Sequence, residues 1–243
     1  VSHIPVLFNE CLEALNIQPN GTYVDGTFGR GGHAQAILNK LGSDGMLWVF
    51  DKDPDAIVVA QQLAKQDARV KVIHDSFATM ETYLPKGRVH GVLLDLGVSS
   101  PQLDEAARGF SFMKEGPLDM RMDPTRGESV AAWLTHVDEI TLADIIWRYG
   151  EERFAKRIAK AIVSAQVEMP FTRTLALAEA IAKAVPFKDK HKHPATRTFQ
   201  ALRIFINQEL SDVERVLERM PELLAPQGRL AVISFHSLED RLV

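Results

Sequence analysis

The sequence predicts a doubly wound α/β core interrupted by an inserted helical subdomain, and three observations carry that prediction. Five short apolar runs recur along the chain, and amphipathic stretches of about a dozen residues separate the first four, the order of strands and crossover helices in a parallel sheet. The runs are apolar throughout rather than alternating, which suits strands covered on both faces. Residues 98–228 then separate the fourth run from the fifth, far more chain than one crossover helix needs, and most of that stretch has helical spacing.

Taken in order, "LFNECLEAL" (7–15) has one apolar helix face, and "TYVDG" (22–26) reads as the first strand, ending in glycine. "GMLWVFD" (45–51) is the second strand, "DAIVVAQQLAKQ" (55–66) a crossover helix, "VKVIHD" (70–75) the third strand and "GVLLDLG" (91–97) the fourth. Helices follow at "TLADIIWRYG" (141–150), "EERFAKRIAKAIVSAQ" (151–166) and "TRTLALAEAIAKAV" (172–185). A single long helix is expected over 198–220, where Phe199, Leu202, Ile206, Val213, Val216 and Met220 recur near helical spacing and pack back on the sheet. "RLAVISF" (229–235) is the fifth strand. The expected division is a core of 1–104 and 196–243 with an inserted helical subdomain of 105–195. No internal repeat or low-complexity linker interrupts it.

Composition excludes several classes. The chain is 46% hydrophobic and 25% charged, the balance of an ordinary globular protein. Its one cysteine, Cys11, rules out a disulfide framework and a thiolate metal site, and the histidines lack metal-ligand spacing, so no metal is expected. No apolar run of about eighteen residues and no signal segment is present in the sequence, so no membrane association is expected and a cytoplasmic setting is favoured. A net charge of −4 argues against coating nucleic acid by bulk charge, though not against a local basic face.

The turn "DGTFGRGGH" (25–33) brings bare backbone to the end of the first strand, where open parallel sheets bind ligands. Gly29, Gly31 and Ala34 satisfy a dinucleotide pattern, with Asp51 twenty residues past Gly31. Asp25 argues against a dinucleotide, because a carboxylate just before the turn repels a pyrophosphate. S-adenosylmethionine carries a sulfonium and an ammonium and no phosphate. It suits Asp25, with Asp51 holding its ribose hydroxyls and Phe77, after "HDS", bordering its adenine. A capping Asp25 over a purely structural turn is the alternative.

The fourth strand runs into "DLGVSSPQ" (95–102). Asp95 there can accept the hydrogens of a weakly nucleophilic exocyclic amine such as cytosine N4 and orient it; a helix cap is the other reading. Pyrimidine ring-carbon methylation uses a cysteine nucleophile, and Cys11 reads as core. In "RGFSFMKEGPLDMRMDPTRG" (108–127), Phe110 and Phe112 suit either stacking an unstacked base or anchoring the helical insert. Asp119 and Asp123 either orient substrate or pair with Arg121 and Arg126. Residues 183–203 carry six lysines and arginines against one acid, Asp189, a candidate phosphate-contacting patch including Lys188, Lys190, Lys192, His193 and Arg197. Arg153, Lys156, Arg157 and Lys160 add to it. A solvated charged face is the plainer alternative.

"HIPVLFNE" (3–10), "DGTFGRGGH", "DLGVSSPQLD" (95–104), "RGFSF…GPLDMRMD" (108–123), "YGEERFAKRIA" (149–159), "HPATRTFQALRI" (193–204) and "ISFHSLEDR" (233–241) together resemble the bacterial cytosine-N4 methyltransferases of small-subunit (16S) ribosomal RNA. The resemblance spans essentially the whole chain. It implies a class I S-adenosylmethionine-dependent methyltransferase core, and methylation of a decoding-region cytidine on the assembled small subunit. It implies donor contacts at Gly31, Gly32, His33, Asp51, Phe77, Asp95 and Gln102, with His33 and Gln102 resting mainly on the resemblance. The family continues past "SLEDR", so the last strands of the core are expected beyond Val243. Other amine methyltransferases often follow the fourth strand with two prolines and an aromatic; here Leu96, Gly97 and Val98 stand instead. Competing readings are a methyltransferase of DNA, protein or a small molecule, a non-catalytic ribosome-assembly factor and, last, a nicotinamide-dependent dehydrogenase.

Overall fold

The computed structural model describes residues 5–186 and 192–243. The chain divides into two compact units, Val1–Gly97 with Leu210–Val243, and Val98–Glu209.

In the first unit, α1 (Phe8–Leu15) precedes β1 (Thr22–Asp25), α2 (Gly32–Lys40), β2 (Met46–Asp51), α3 (Pro54–Gln66), β3 (Val70–His74) and β4 (Val89–Asp95). The five strands form an entirely parallel sheet in the order β3-β2-β1-β4-β5, with β5 spanning Leu224–Ile233. The order reverses between β1 and β4, which makes the carboxyl ends of those strands the switch point. Local chemistry starts α3: Asp53 accepts the Asp55 N–H at 3.0 Å, and Pro54 occupies the first turn, where no amide donor is needed. Apolar residues cover both sheet faces. One cluster includes Tyr23, Ile37, Leu47, Val49 and Cys11, and another Val24, Phe50, Leu94, Val216 and Met220. Val216 and Met220 belong to α10 (Glu209–Leu223), so that helix packs on the sheet as expected.

The second unit holds α4 (Ser100–Asp104), α5 (Val130–Leu134), α6 (Glu139–Gly150), α7 (Ala155–Glu168), α8 (Thr174–Ala184) and α9 (Thr196–Ile206). Its core gathers Trp133, Ile146, Ile158, Ile162, Ile181, Phe199 and Leu202. The helix expected over 198–220 is two helices. Gln208, at φ 54°, sits in the left-handed region between α9 and α10. Asn207 secures the break, with its Nδ2 donating to the Met120 carbonyl at 2.7 Å and its Oδ1 accepting the Met122 N–H at 2.7 Å. Phe199 and Leu202 therefore belong to the helical core, and residues 196–209 fall with the helical unit rather than with the sheet. The sheet unit ends on α11 (Ser237–Leu242). Among the described residues no helix is long and apolar enough to cross a membrane.

Candidate active site

Three acids end three adjacent strands at the carboxyl edge: Asp51 on β2, Asp25 on β1 and Asp95 on β4. Asp25 is 1% exposed. One of its oxygens accepts the Thr27 N–H at 3.1 Å, while Oδ2 has no hydrogen-bond partner. Burial pushes this carboxyl up to about 7; the Thr27 amide opposes the rise, and the charges of Asp51 and Asp95 add to it. Asp51 is likewise raised by burial, to about 6, against the pull of the Asp53 and Gly29 amides. Its two oxygens accept the Gly29 N–H at 2.8 Å and the Asp53 N–H at 2.9 Å, so the second strand end holds the glycine turn of the first.

The turn is as bare as its sequence. A Cβ at Gly26 would collide with Leu94, and Gly31 caps α2 at φ 80°, where a side chain is strained and a Cβ would meet Phe28 at 2.8 Å. His33, in the first turn of α2, is 6% exposed, with neither ring nitrogen hydrogen-bonded. Burial lowers its pKa and favours the neutral imidazole. Its Nε2 lies 3.8 Å from Asp95 Oδ2, and the Phe8 ring stacks on it with centroids 6.0 Å apart. Phe77, half-buried, begins the turn after β3 and borders Gly26.

A buried carboxylate oxygen and two imidazole nitrogens without partners cost stability unless a ligand satisfies them. A cationic, hydrogen-bonding ligand does so, whereas a pyrophosphate meets three acids. The residues present therefore fit S-adenosylmethionine: acids for its cationic groups and hydroxyls, and bare backbone at Gly26, Gly31 and Gly32 for close approach.

Of the expected site residues, this unit brings together Asp25, Gly31, Gly32, His33, Asp51, Phe77 and Asp95. Gln102 lies in the helical unit, where it closes a capping box on α4, its Oε1 accepting the Ser99 N–H at 2.9 Å. Asp119 is engaged by the Arg121 guanidinium at 2.7 and 2.8 Å. Burial opposes ionisation of its carboxyl, but those hydrogen bonds hold it below the usual range. Asp123 pairs with Arg126 at 3.3 Å. The ion-pair alternative is thus the one the geometry favours for both acids. Phe110 is core and Phe112 packs on His193 and Phe199, with centroids 4.6 and 4.8 Å apart, so both anchor the helical unit. Cys11 is buried core, and burial raises its thiol pKa. Lys188 and Lys190 lie outside the described residues; Lys192 and His193 are exposed, and Arg197 opens α9 half-buried.

Sequence reasoning missed three supporting groups. Thr27 Oγ1 accepts the Asp95 N–H at 2.7 Å, linking the ends of β1 and β4. Phe8 covers His33. Asp212 on α10 is a buried acid that pairs with Lys52 and accepts the Ser76 hydroxyl at 2.7 Å, bracing the segments that carry Asp51 and Phe77. Only Thr27, two residues past Asp25, had a local signal.

The switch-point acids, the bare turn and the parallel sheet are the features of the S-adenosylmethionine-dependent methyltransferase class. The chain matches the MraW methylase family over residues 1–243 and belongs to it. Solved structures similar to it include a candidate rRNA methylase from Clostridium thermocellum, at 22% identity and TM-score 0.35 over 40% of this chain and 54% of that one. A candidate methyltransferase from Streptococcus mutans in complex with SAH is 20% identical, TM-score 0.34, over 40% of this chain and 56% of that one. An rRNA methylase from Streptococcus thermophilus is 19% identical, TM-score 0.31, over 40% and 57%. The chain thus spans little more than half the length of these solved relatives.

Proposed function

We propose that the protein transfers a methyl group from S-adenosylmethionine to the exocyclic N4 of a cytidine in the decoding region of 16S ribosomal RNA, on the assembled small subunit in the cytoplasm. The observation that carries the reading is the convergence at the switch point of Asp25, Asp51 and Asp95 with His33, whose ring nitrogens make no hydrogen bond. The RNA class follows from family membership together with the basic surface of the helical unit.

When bound, the donor supplies an electrophilic methyl group on a cationic sulfur. Asp25 would face its positive charge, Asp51 would accept from ribose hydroxyls, and Phe77 would border the adenine. Asp95 would accept a hydrogen bond from the cytidine amine and turn the nitrogen lone pair toward the methyl carbon; as the N–C bond formed, the S–CH3 bond would break with its electron pair left on sulfur as a neutral thioether, and Asp95 would take the proton that nitrogen loses. The proton then passes to solvent. Asp119, committed to Arg121, has no part in the step.

RNA is held by cations of the helical unit. Lys156 and Arg157 lie in the first turn of α7, where the helix dipole disfavours positive charge, and Lys160 follows one turn later. None of the three has a carboxylate partner among the described residues. Lys192, His193 and Arg197 extend the set, with Lys188 and Lys190 proposed from sequence alone.

The test uses labelled S-adenosylmethionine and small subunits from cells lacking the activity, with RNA digested to nucleosides and the label located by mass. Label in N4-methylcytidine is expected. Label in protein or DNA alone would overturn the substrate, and no donor binding would overturn the class.

A further inference from the structure

The fourth strand lacks the aromatic that many amine methyltransferases place beside the reacting nitrogen; Leu96, Gly97 and Val98 follow Asp95 instead. Resting on the cytidine reading above, we propose that Phe235, from the neighbouring strand end, is the surface on which the target base stacks.

Three observations, all within the sheet unit, carry this. The first is placement. Strands β4 and β5 are paired in parallel with Asp95 opposite Ile233, and the Leu96 N–H donates to the Ile233 carbonyl at 3.0 Å. Phe235 is two residues past Ile233, as Gly97 is past Asp95, so it stands just beyond the end of the strand that pairs with the one carrying Asp95. Neighbouring strand ends thus carry the ring and the carboxylate, the arrangement a base needs to rest on one while its amine meets the other.

The second is exposure at a fixed backbone. An isolated exposed phenylalanine means little by itself, since folded proteins carry many. This one is 58% exposed at the ligand edge of a parallel sheet. Its backbone is held: the Phe235 N–H donates at 2.8 Å to Oε2 of Glu239, a carboxylate only 2% exposed on α11. The other oxygen of the same carboxylate pairs with His236 at 3.1 Å, so the segment that carries the ring is tied to the start of α11.

The third is Gly97. Its φ of 97° lies where only glycine is unstrained, and an added Cβ would stand 3.8 Å from the Phe235 ring. The ring thus lies along bare backbone, and a base on it meets no side chain from residue 97. Aromatic stacking tolerates any base, so Phe235 supplies position, and selection of the amine falls to Asp95.

The test is single-turnover methyl transfer with full-length protein on small subunits lacking the modification, with donor affinity and melting temperature measured alongside. Phe235→Ala is expected to slow transfer about 10- to 100-fold with donor affinity and melting unchanged. Phe235→Tyr and Phe235→Trp are expected to stay within about threefold of wild type, while Phe235→Leu, apolar but without a π face, falls near the alanine variant. Wild-type transfer by Phe235→Ala, or full rescue by leucine, would overturn the proposal. So would a donor-affinity loss in Phe235→Ala equal to the loss of rate, which would make the ring part of the donor pocket. Wild-type protein that binds donor yet methylates no RNA would overturn it too, and that result is separable because it fails before any variant is compared.

Discussion

The two units treat charge in opposite ways. At the edge of the sheet, Asp25 is buried and keeps an oxygen without a hydrogen-bond partner, with Asp51 and Asp95 half-buried on either side; the cost is carried inside the fold. In the helical unit, several acids pair with nearby cations, Asp144 with Arg148, Glu115 with Arg173 and Asp119 with Arg121, while Lys156, Arg157 and Lys160 of α7 are exposed and have no carboxylate partner among the described residues. A buried carboxyl with an unfilled oxygen suits a small cation that must displace little water. Unmatched surface cations suit an extended polyanion, whose binding is driven by counterion release. One chain thus carries two kinds of recognition, and each can be broken without touching the other.

The largest effect is expected at the sheet edge. Asp95→Ala should lower single-turnover methyl transfer by about 10²- to 10⁴-fold, the usual span for a positioned proton acceptor, while RNA affinity stays at the wild-type value. A loss of RNA binding of the same size would merge the two kinds of recognition. Next comes the helical unit. Lys156→Ala/Arg157→Ala/Lys160→Ala should weaken binding to small subunits by roughly tenfold or more and flatten the logarithmic salt slope by about 2, with donor affinity unchanged. Filter binding across a salt series measures both, and an unaltered slope removes α7 from the RNA face.

A smaller effect concerns stability. The raised pKa of Asp25 means that the folded chain holds this proton more tightly than the unfolded chain. Its contribution is therefore full below about pH 4 and is lost as pH rises toward about 7. Asp25→Asn cannot ionise, so it should be more stable than wild type at pH 8 by up to about 4 kcal/mol, a margin that vanishes near pH 4. Melting curves across pH decide it; an asparagine variant less stable at pH 8 than at pH 4, relative to wild type, reverses the sign. The smallest effect is expected at Cys11, where alanine should cost about 1 kcal/mol of stability and leave the transfer rate at the wild-type value. Loss of activity there would reopen ring-carbon chemistry.

Most of the sheet was legible because parallel strands buried on both faces leave apolar runs ending in glycine or acid. The runs read at 22–26, 45–51 and 70–75 became Thr22–Asp25, Met46–Asp51 and Val70–His74. The fifth strand begins earlier than expected, at Leu224, because "APQG" looks like a turn; it joins β4 through a register shift between Val89 and Gly91, with Gln227 at φ 65°. The break at Asn207–Gln208 was illegible for a related reason. No glycine or proline marks it, and the hydrogen bonds that stabilise it reach Met120 and Met122, more than eighty positions away. In the site, the three strand-end acids were readable because topology alone puts strand ends together. Asp212 and Phe8 were not, since each acts through a side chain from a distant element, and no spacing rule connects α10 to Lys52.

The central claim is that the sheet edge is an acid site completed by a cationic methyl donor. Its most direct test is the affinity of wild-type protein and Asp25→Asn for S-adenosylmethionine, measured by calorimetry from pH 5.5 to 8.5. Since the donor favours ionised Asp25, wild-type affinity should rise by about tenfold per pH unit at most, levelling off above the titration near pH 7, and the asparagine variant should bind weakly with a flatter profile. Parallel profiles of equal affinity would contradict the account, because Asp25 would then be a buried structural acid and the donor would be held by something else.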